Sequence, residues 1–464
     1  MGRRQGRSRF SGIARVVVRV ALLAGALYMI GGFLAVRLVR DPVVLDPAAI
    51  REPSPTLPGP EIPPGGVTTG VALQGVAAAS GKASGVGTGV LVRGALSVHT
   101  DRSHDAEGTL DEVGAAAARA GLDFVVLGDH VGDWAAEGAE ALRPRRSHGV
   151  LLIPGVELAV KDVGRVLAVG LDTLPREWLG AWDDLARRVE ENGGFLSVVH
   201  PRSPRARERW AGLSRPGVHA WESFDISEMA RLRQSEPLAM YRVVGLLAAF
   251  ATGRGHRSLA RLWREGTATP ALLAYDSARA AGPVVLTGGL NHHPKARIMG
   301  GLFPGYEPFF RTVVNHVSVN GALDPDPRRA QEQILEALRA GRLFVTLGDA
   351  EGVGDFRVWA DAEAPGPTVG AAPATANGLR LHVRLPAGRS GLLPVRILHD
   401  GVEVAWLAGQ RGESLTWTVP GPGVYRVEVF KGGVRLGGMR YGFEPWILSN
   451  PVELAVGAES VAVR

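Results

Sequence analysis

The stretch Val90–Val98 is apolar or small apart from Arg93 and Ser97, and it runs straight into His99-Thr100. A run of this kind reads as a buried strand that delivers a histidine and then a polar loop, here ending in Ser103-His104-Asp105. The same arrangement recurs four times. Phe124–Leu127 leads to Asp129-His130, and Val150–Ile153 leads to Gly155-Val156-Glu157. Phe195–Val199 ends in His200-Pro201, and Pro283–Leu286 leads through Gly288-Gly289-Leu290 to Asn291-His292-His293. Strands buried on both faces that present a His or a carboxylate at one end predict a barrel with ligands gathered at its rim.

The intervening segments fit that reading. Thr109-Leu110-Asp111-Glu112 has the form of a capping box, and the helix it opens should stop at Gly121. Residues 165–171 and 218–222 read as further strands. A helix over 178–192, helical pattern over 226–280 with a break at 253–255, a helix over 327–340 and a last strand over 343–346 complete the series. Seven or so strands alternating with helices predict an α/β barrel over residues 90–349 rather than an open sheet.

A single histidine after a strand is ordinarily a loop or core residue. Five strand ends in one series, offering imidazole nitrogen and carboxylate oxygen, predict a site for zinc, manganese or iron. The chain has no Cys, which excludes disulfides, thiolate nucleophiles and Cys-ligated metal. No Gly-x-Ser-x-Gly elbow is present. His148, His219, His256, His316, His382 and His399 do not sit at strand ends in this way and read as structural. Arg143, Arg145, Arg146, Arg202 and Arg205 fall in loops near strand ends, where they would either clamp a phosphate or form solvated surface.

These motifs resemble the PHP (polymerase and histidinol phosphatase) superfamily of metal-dependent hydrolases, and within it the carbaryl-hydrolase-like (CehA/McbA) branch. The resemblance rests on His-Thr-x-x-Ser-His-Asp at 99–105, Asp-His at 129–130, Pro-Gly-Val-Glu at 154–157, Val-Val-His-Pro at 198–201 and Gly-Gly-Leu-x-x-His at 288–293. It implies a distorted (β/α)7 barrel with a two- or three-metal centre. By the resemblance His99 would hold a first metal, Glu157 would bridge it to a second, and His200 would hold the second. His130, His293 and either Asp105 or His104 would hold a third. Asp129 would orient ligands, and Glu222 matches a strand-end glutamate of the family. Two positions depart from the pattern: Ser97 stands where the first motif has His, and Asn291 stands where the last has Asp. The implied activity is hydrolysis of phosphoester or related carbamate and carboxylic ester bonds by a water activated on one to three divalent ions. The two departures point to the alternative, a non-catalytic relative with a partly lost metal centre that binds a ligand or serves as a scaffold.

The formal net charge of +6 suggests nucleic-acid binding, but Arg3, Arg4, Arg7, Arg9, Arg15 and Arg19 account for it, and no acidic residue precedes Asp41. The basic tail leads into the apolar stretch 20–36, so residues 1–40 are expected to be a cytoplasmic tail and a signal-anchor helix. The rest of the chain would then be extracytoplasmic, its partners a small-molecule ester substrate and the membrane, with no nucleic acid expected. Residues 41–89, rich in Pro and then Gly, read as a linker. Short alternating runs separated by Gly, Pro and Asp400-Gly401 predict a β-sandwich over 350–464.

Overall fold

The computed structural model describes residues 44–45, 89–173, 182–211, 215–225, 228–229, 255–264, 268–298, 300–348, 350–360, 380–388, 391–431, 434–436, 439–441 and 444–454. The expected signal-anchor helix and nearly all of the linker lie outside these residues. Among the described residues no helix is long and apolar enough to cross a membrane.

The protein is a mixed α/β structure built on one large mixed sheet. Strand β1 (Val90–Val98) leads to helix α1 (Leu110–Ala120) and back to β2 (Phe124–Leu127). The helix has the cap its sequence calls for. Glu112 N donates to Thr109 Oγ1 at 3.2 Å, and Thr109 N donates to the Glu112 carboxylate at 2.9 Å. Gly121 closes the helix with φ of 73°, a left-handed conformation that glycine adopts without a Cβ clash.

β3 (Asp129–His130) extends the line of β2, as β5 (Gly155–Val160) extends that of β4 (Val150–Ile153). Then come β6 (Gly164–Val169), α2 (Trp182–Glu191), β7 (Phe195–Val199), β8 (Ala220–Phe224), α3 (Gly255–Arg264), α4 (Ala268–Ala281) and β9 (Val285–His292). β1 pairs in parallel with β2 on one side and β9 on the other. The pairs β2–β4, β3–β5, β7–β8 and β8–β9 are parallel too. The paired order β3–β5–β6–β7–β8–β9–β1–β2 runs round to β2, which Gly128 alone separates in the chain from β3.

The ring is not uniformly parallel. β6 runs antiparallel to both β5 and β7. Only Lys161–Val163 separate β5 from β6, and a parallel crossover needs a dozen or more residues, so the chain has to turn back as a hairpin. A second difference is β10 (Val313–Val319), which is not among the predicted strands. Asn315 and His316 interrupt its apolar run, and both make hydrogen bonds in the core. Asn315 brackets the Gly288 peptide with bonds of 3.0 and 2.8 Å, and His316 Nε2 meets Thr346 Oγ1 at 2.9 Å. β10 is antiparallel to the first half of β1 and, across α5 (Pro327–Arg339), to β11 (Leu343–Leu347).

One apolar cluster joins Leu96, Phe124, Leu151, Leu167 and Phe195 from successive strands of the ring, and α5 packs Ile334, Leu335 and Leu338 into it. Among its described residues the remaining segment is all-β. Its strands include β12 (Arg357–Ala360), β13 (Arg380–Arg384), β14 (Leu392–His399), β15 (Val402–Gln410), β16 (Ser414–Thr418), β17 (Gly423–Lys431), β18 (Glu444–Ser449) and β19 (Val452–Leu454). β12, β13 and β16 form one antiparallel sheet, which shares an apolar cluster with β14, β17 and β18. The β14–β15 hairpin turns at Asp400-Gly401, with φ of 49° and 79°. β18 pairs with β11, placing Leu448 opposite Val345. The all-β segment is thereby stitched to the sheet that carries β1.

Thr109→Ala removes the side chain that caps α1 and should cost about 1 kcal/mol in urea unfolding. Glu112 also pairs with Arg297, whose hydrogen bond holds its pKa down at about 2 from the usual 4.5. A depressed carboxyl contributes stability above pH 4.5 that is lost as pH falls toward 2. The pair is largely exposed, so Arg297→Ala should flatten that acid limb only slightly. Unchanged stability in Thr109→Ala would contradict the cap.

Candidate metal centre

The strand ends that carry the predicted ligands are bent out of regular geometry. Ser97, His200 and Asn291 have φ of 59°, 51° and 47°. A left-handed conformation costs a non-glycine residue about 1–2 kcal/mol, so the surroundings must impose it. Ser97 falls inside the break of register between Ala95 and Val98, and Asn291 inside the one between Gly289 and His292. Each break lets a strand turn its last residues toward the centre of the ring.

Four predicted ligands meet there. One ligand atom from each of His99, Asp105, His130 and His293 lies within 4.8 Å of all the others, and among the described residues this is the only such group of His and carboxylate side chains. Asp105 Oδ2 is 3.3 Å from His293 Nε2 and 3.8 Å from His130 Nε2, and Asp105 Oδ1 is 4.0 Å from His99 Nδ1. The His99 and His293 rings stack at 3.9 Å. Hydrogen bonds select the tautomers. His293 Nδ1 donates to Asn291 O at 2.9 Å, which turns the Nε2 lone pair toward Asp105. Ser103 Oγ donates to Asp105 Oδ1 at 2.8 Å and holds that carboxylate in place. Of the two candidates in the first loop, Asp105 enters the cluster. His104 is exposed and only approaches the His130 ring, at 5.2 Å.

Glu157 lies against this group. It is 3% exposed, and its Oε2 is 3.3 Å from His99 Nε2. Both atoms are buried, yet neither makes a hydrogen bond with good geometry among the described residues. Two buried polar atoms facing each other without a well-formed hydrogen bond would both turn lone pairs to a cation once His99 Nε2 gives up its proton, so the residues present fit a divalent metal ion. The other oxygen, Oε1, accepts from Arg165 Nη1 at 2.5 Å and lies 3.8 Å from His200 Nε2. Arg165 was not a predicted site residue. It sits diagonally across the β5–β6 hairpin from Glu157, opposite Ala159, within reach of a long side chain. Its signal becomes readable only once residues 155–169 are seen to be a hairpin.

Beyond Glu157 lies a second polar group without a cluster of free ligand atoms. His200 Nδ1 is 2.6 Å from Asp225 Oδ2. Asn291 Nδ2 donates to Asp225 Oδ2 at 3.1 Å and to Glu222 Oε2 at 3.4 Å, and Ser97 Oγ donates to Glu222 Oε1. Gly289 makes room for this group, since a Cβ there would lie 2.0 Å from the Glu222 carboxylate. Asp225, which follows β8 directly and so carries the same strand-end signal as the other ligands, is not among the predicted site residues. Asp129 is not in the cluster. Its two oxygens accept from Thr100 N at 2.6 Å and Thr100 Oγ1 at 2.8 Å, which fixes the loop that begins at His99. The loop arginines are mostly engaged. Arg146 donates to Asp324 O, Arg143 pairs with Glu140, Arg205 bonds Glu208, and Arg202 lies 3.8 Å from Glu228.

The charges are coupled. Burial works against Glu157 ionising, but contact with His99 and the nearby His200 and His130 outweigh it and hold the pKa well below the carboxylate range. Burial likewise works against protonated His99, but Glu157, Asp129 and Asp105 raise its pKa above 6.5. Burial first, and then His99, pushes His293 down to about 2, and burial lowers His130. Glu222 goes the other way: burial and the neighbouring Asp225 raise it well above the usual 4.5.

No family model matches the sequence, and no curated protein matches it. Among solved structures, the chain is similar to a two-domain protein from Bacteroides vulgatus described as containing a predicted PHP-like metal-dependent phosphoesterase. The two are 14% identical, with 78% of this chain and 96% of that one covered, and the TM-score is 0.38. PsfC from Pseudomonas syringae is 15% identical over 53% of this chain and 88% of its own, at a TM-score of 0.33. The lesion-specific endonuclease PfuEndoQ from Pyrococcus furiosus is 13% identical over 58% of this chain and 62% of its own, at 0.28. All three scores lie below 0.5, so the centre stands on its own geometry.

Proton competition at His99 should set the pH dependence of any metal uptake here. Of the three imidazoles only His99 is raised, so a proton competes with an ion for it at higher pH than for His130 or His293, which burial lowers. Metal affinity should therefore weaken about tenfold per unit as pH falls below the His99 pKa, with close to one proton released per ion. Competition against a chelating dye between pH 6 and 8 measures this. A flat profile would exclude His99 as a ligand.

Proposed function

We propose that the chain is a metal-dependent hydrolase of the PHP type, in the carbaryl-hydrolase-like branch, acting on phosphoester or related carbamate and carboxylic ester bonds. The observation that carries this reading is the convergence of His99, Asp105, His130 and His293 beside the unbonded pair His99 Nε2 and Glu157 Oε2. A divalent ion held there would supply Lewis acidity to a substrate oxygen and lower the pKa of a water. The chain's own residues do the rest. Asp129 fixes the loop through Thr100, Ser103 aims Asp105, and the Asn291 carbonyl fixes the His293 tautomer. Arg165, 22% exposed at its side chain, brings a permanent positive charge to the mouth of the site, where an anionic substrate oxygen would arrive.

Residues 1–40 would anchor the protein as a single-pass signal-anchor, residues 41–89 would act as a spacer, and the barrel of residues 90–349 and sandwich of 350–464 would lie outside the cytoplasm. The substrate would be a small molecule rather than a nucleic acid. A second reading, a non-catalytic ligand-binding or scaffold relative, draws on Ser97 and Asn291. Both side chains bond neighbouring carboxylates instead of adding ligands to the cluster.

A screen of the manganese- or zinc-loaded chain on nitrophenyl phosphate mono- and diesters, carbamates and acetates separates the two. The hydrolase reading predicts turnover of at least one ester class. Asp105→Ala and His293→Ala should then lose more than about 100-fold in kcat/KM together with tight metal binding. A loaded protein inert toward every class supports the second reading. Turnover that survives both substitutions would sink the site assignment.

A further inference from the structure

We infer that Arg165 is a built-in cation of the centre: the chain holds one metal ion, at His99, Asp105, His130 and His293, and the guanidinium takes the place of another between Glu157 and His200. This rests on the proposed metal centre and specifies its nuclearity. Among the described residues only one group of His and carboxylate atoms is close enough to share an ion. On the far side of Glu157 the available donors are already committed. Glu157 Oε1 has Arg165 Nη1 at 2.5 Å, closer than the 3.8 Å to His200 Nε2. Asp225 Oδ1 accepts from Glu228 N at 2.8 Å, and its Oδ2 is shared by Asn291 and His200. Both Glu222 oxygens accept from Ser97 and Asn291. Ser97 and Asn291 thus act as hydrogen-bond donors to carboxylates, a role that supplies no charge to a second ion.

Arg165 is held where it can act. Its backbone lies in the middle strand of an antiparallel triplet, opposite Ala159 on β5 and Val199 on β7, so it is placed beside both Glu157 and His200. Nη1 is also 3.4 Å from both ring nitrogens of His130. Nε is buried and makes no hydrogen bond among the described residues. A guanidinium offers several donors in a fixed plane, so one nitrogen can neutralise Glu157 while others remain for a substrate oxygen. A fixed positive charge beside the bridging position lets the site work with a single exchangeable ion.

The test counts ions on the full-length chain. The protein is equilibrated with excess Mn2+, freed of loose metal by gel filtration, and assayed by elemental analysis and electron paramagnetic resonance. One ion per chain with an uncoupled six-line spectrum is expected. Arg165→Met removes the cation from Glu157 Oε1, leaving that oxygen and His200 Nε2 to hold a second ion with waters completing its shell, so it should take up that ion and show exchange coupling. Arg165→Lys keeps the charge and should stay at one. Two or more ions in the unaltered chain, or a folded Arg165→Met that stays at one, overturns the inference while leaving the metal centre standing. If Arg165→Met does not fold, a second ion in Arg165→Lys overturns it. A chain that binds no ion at all removes the proposed metal centre, and this inference with it.

Discussion

Burying a carboxylate costs several kcal/mol unless charge or hydrogen bonds replace the lost water, and the interior of this protein is arranged around one such group. Glu157 stands at the end of the shared β3–β5 ladder with His99 on one side, His200 on another and Arg165 across the hairpin. Remove any of the three and a buried charge loses a partner. The hairpin that replaces a crossover at residues 161–163 is what brings Arg165 round to it. The irregular topology and the chemistry of the centre are therefore one feature. A uniformly parallel ring would have put a helix where that strand runs.

The same economy explains the strained backbone. Positive φ at Ser97, His200 and Asn291 is unfavourable locally, but each conformation aims a polar side chain into the bond network behind Glu157. That network places two carboxyls, Glu222 and Asp225, in one buried space. Burial and mutual repulsion raise Glu222, and burial and Asp225 raise Glu228 to about 7. Ionised Glu157 lies 3.8 Å from His200 Nε2 and carries Arg165, whereas elevated Glu222 is held by the neutral donors Ser97 and Asn291. Two carboxyls with pKa values pushed apart by their surroundings are a common arrangement for dividing acid and base roles.

Much of this was legible in the sequence, because an apolar strand ending in a His or carboxylate is both a folding signal and a placement signal. The strands delivering His99, His130, Glu157, His200 and His293 follow from their apolar runs, and the α1 cap follows from Thr109 and Glu112. Three features were not legible, for separate reasons. β10 was hidden by Asn315 and His316, whose burial makes sense only once Gly288 and Thr346 are known to lie beside them. Arg165 reads as an ordinary strand residue until its antiparallel partner is known. The choice of Asp105 over His104 depends on the loop's hydrogen bonds to Ser103, which adjacency in sequence does not encode. The resemblance suggested a ligand set, and the geometry divides that set into four residues that converge and others that bond elsewhere.

The central claim is that His99, Asp105, His130 and His293 surround a metal ion beside Glu157. Anomalous diffraction from crystals grown with Mn2+ addresses it most directly. One anomalous peak is expected within bonding distance, about 2–2.3 Å, of those four side chains, with Arg165 still on Glu157. A peak bound instead by Glu222, Asp225 and His200, or no peak in the ring at all, would contradict it.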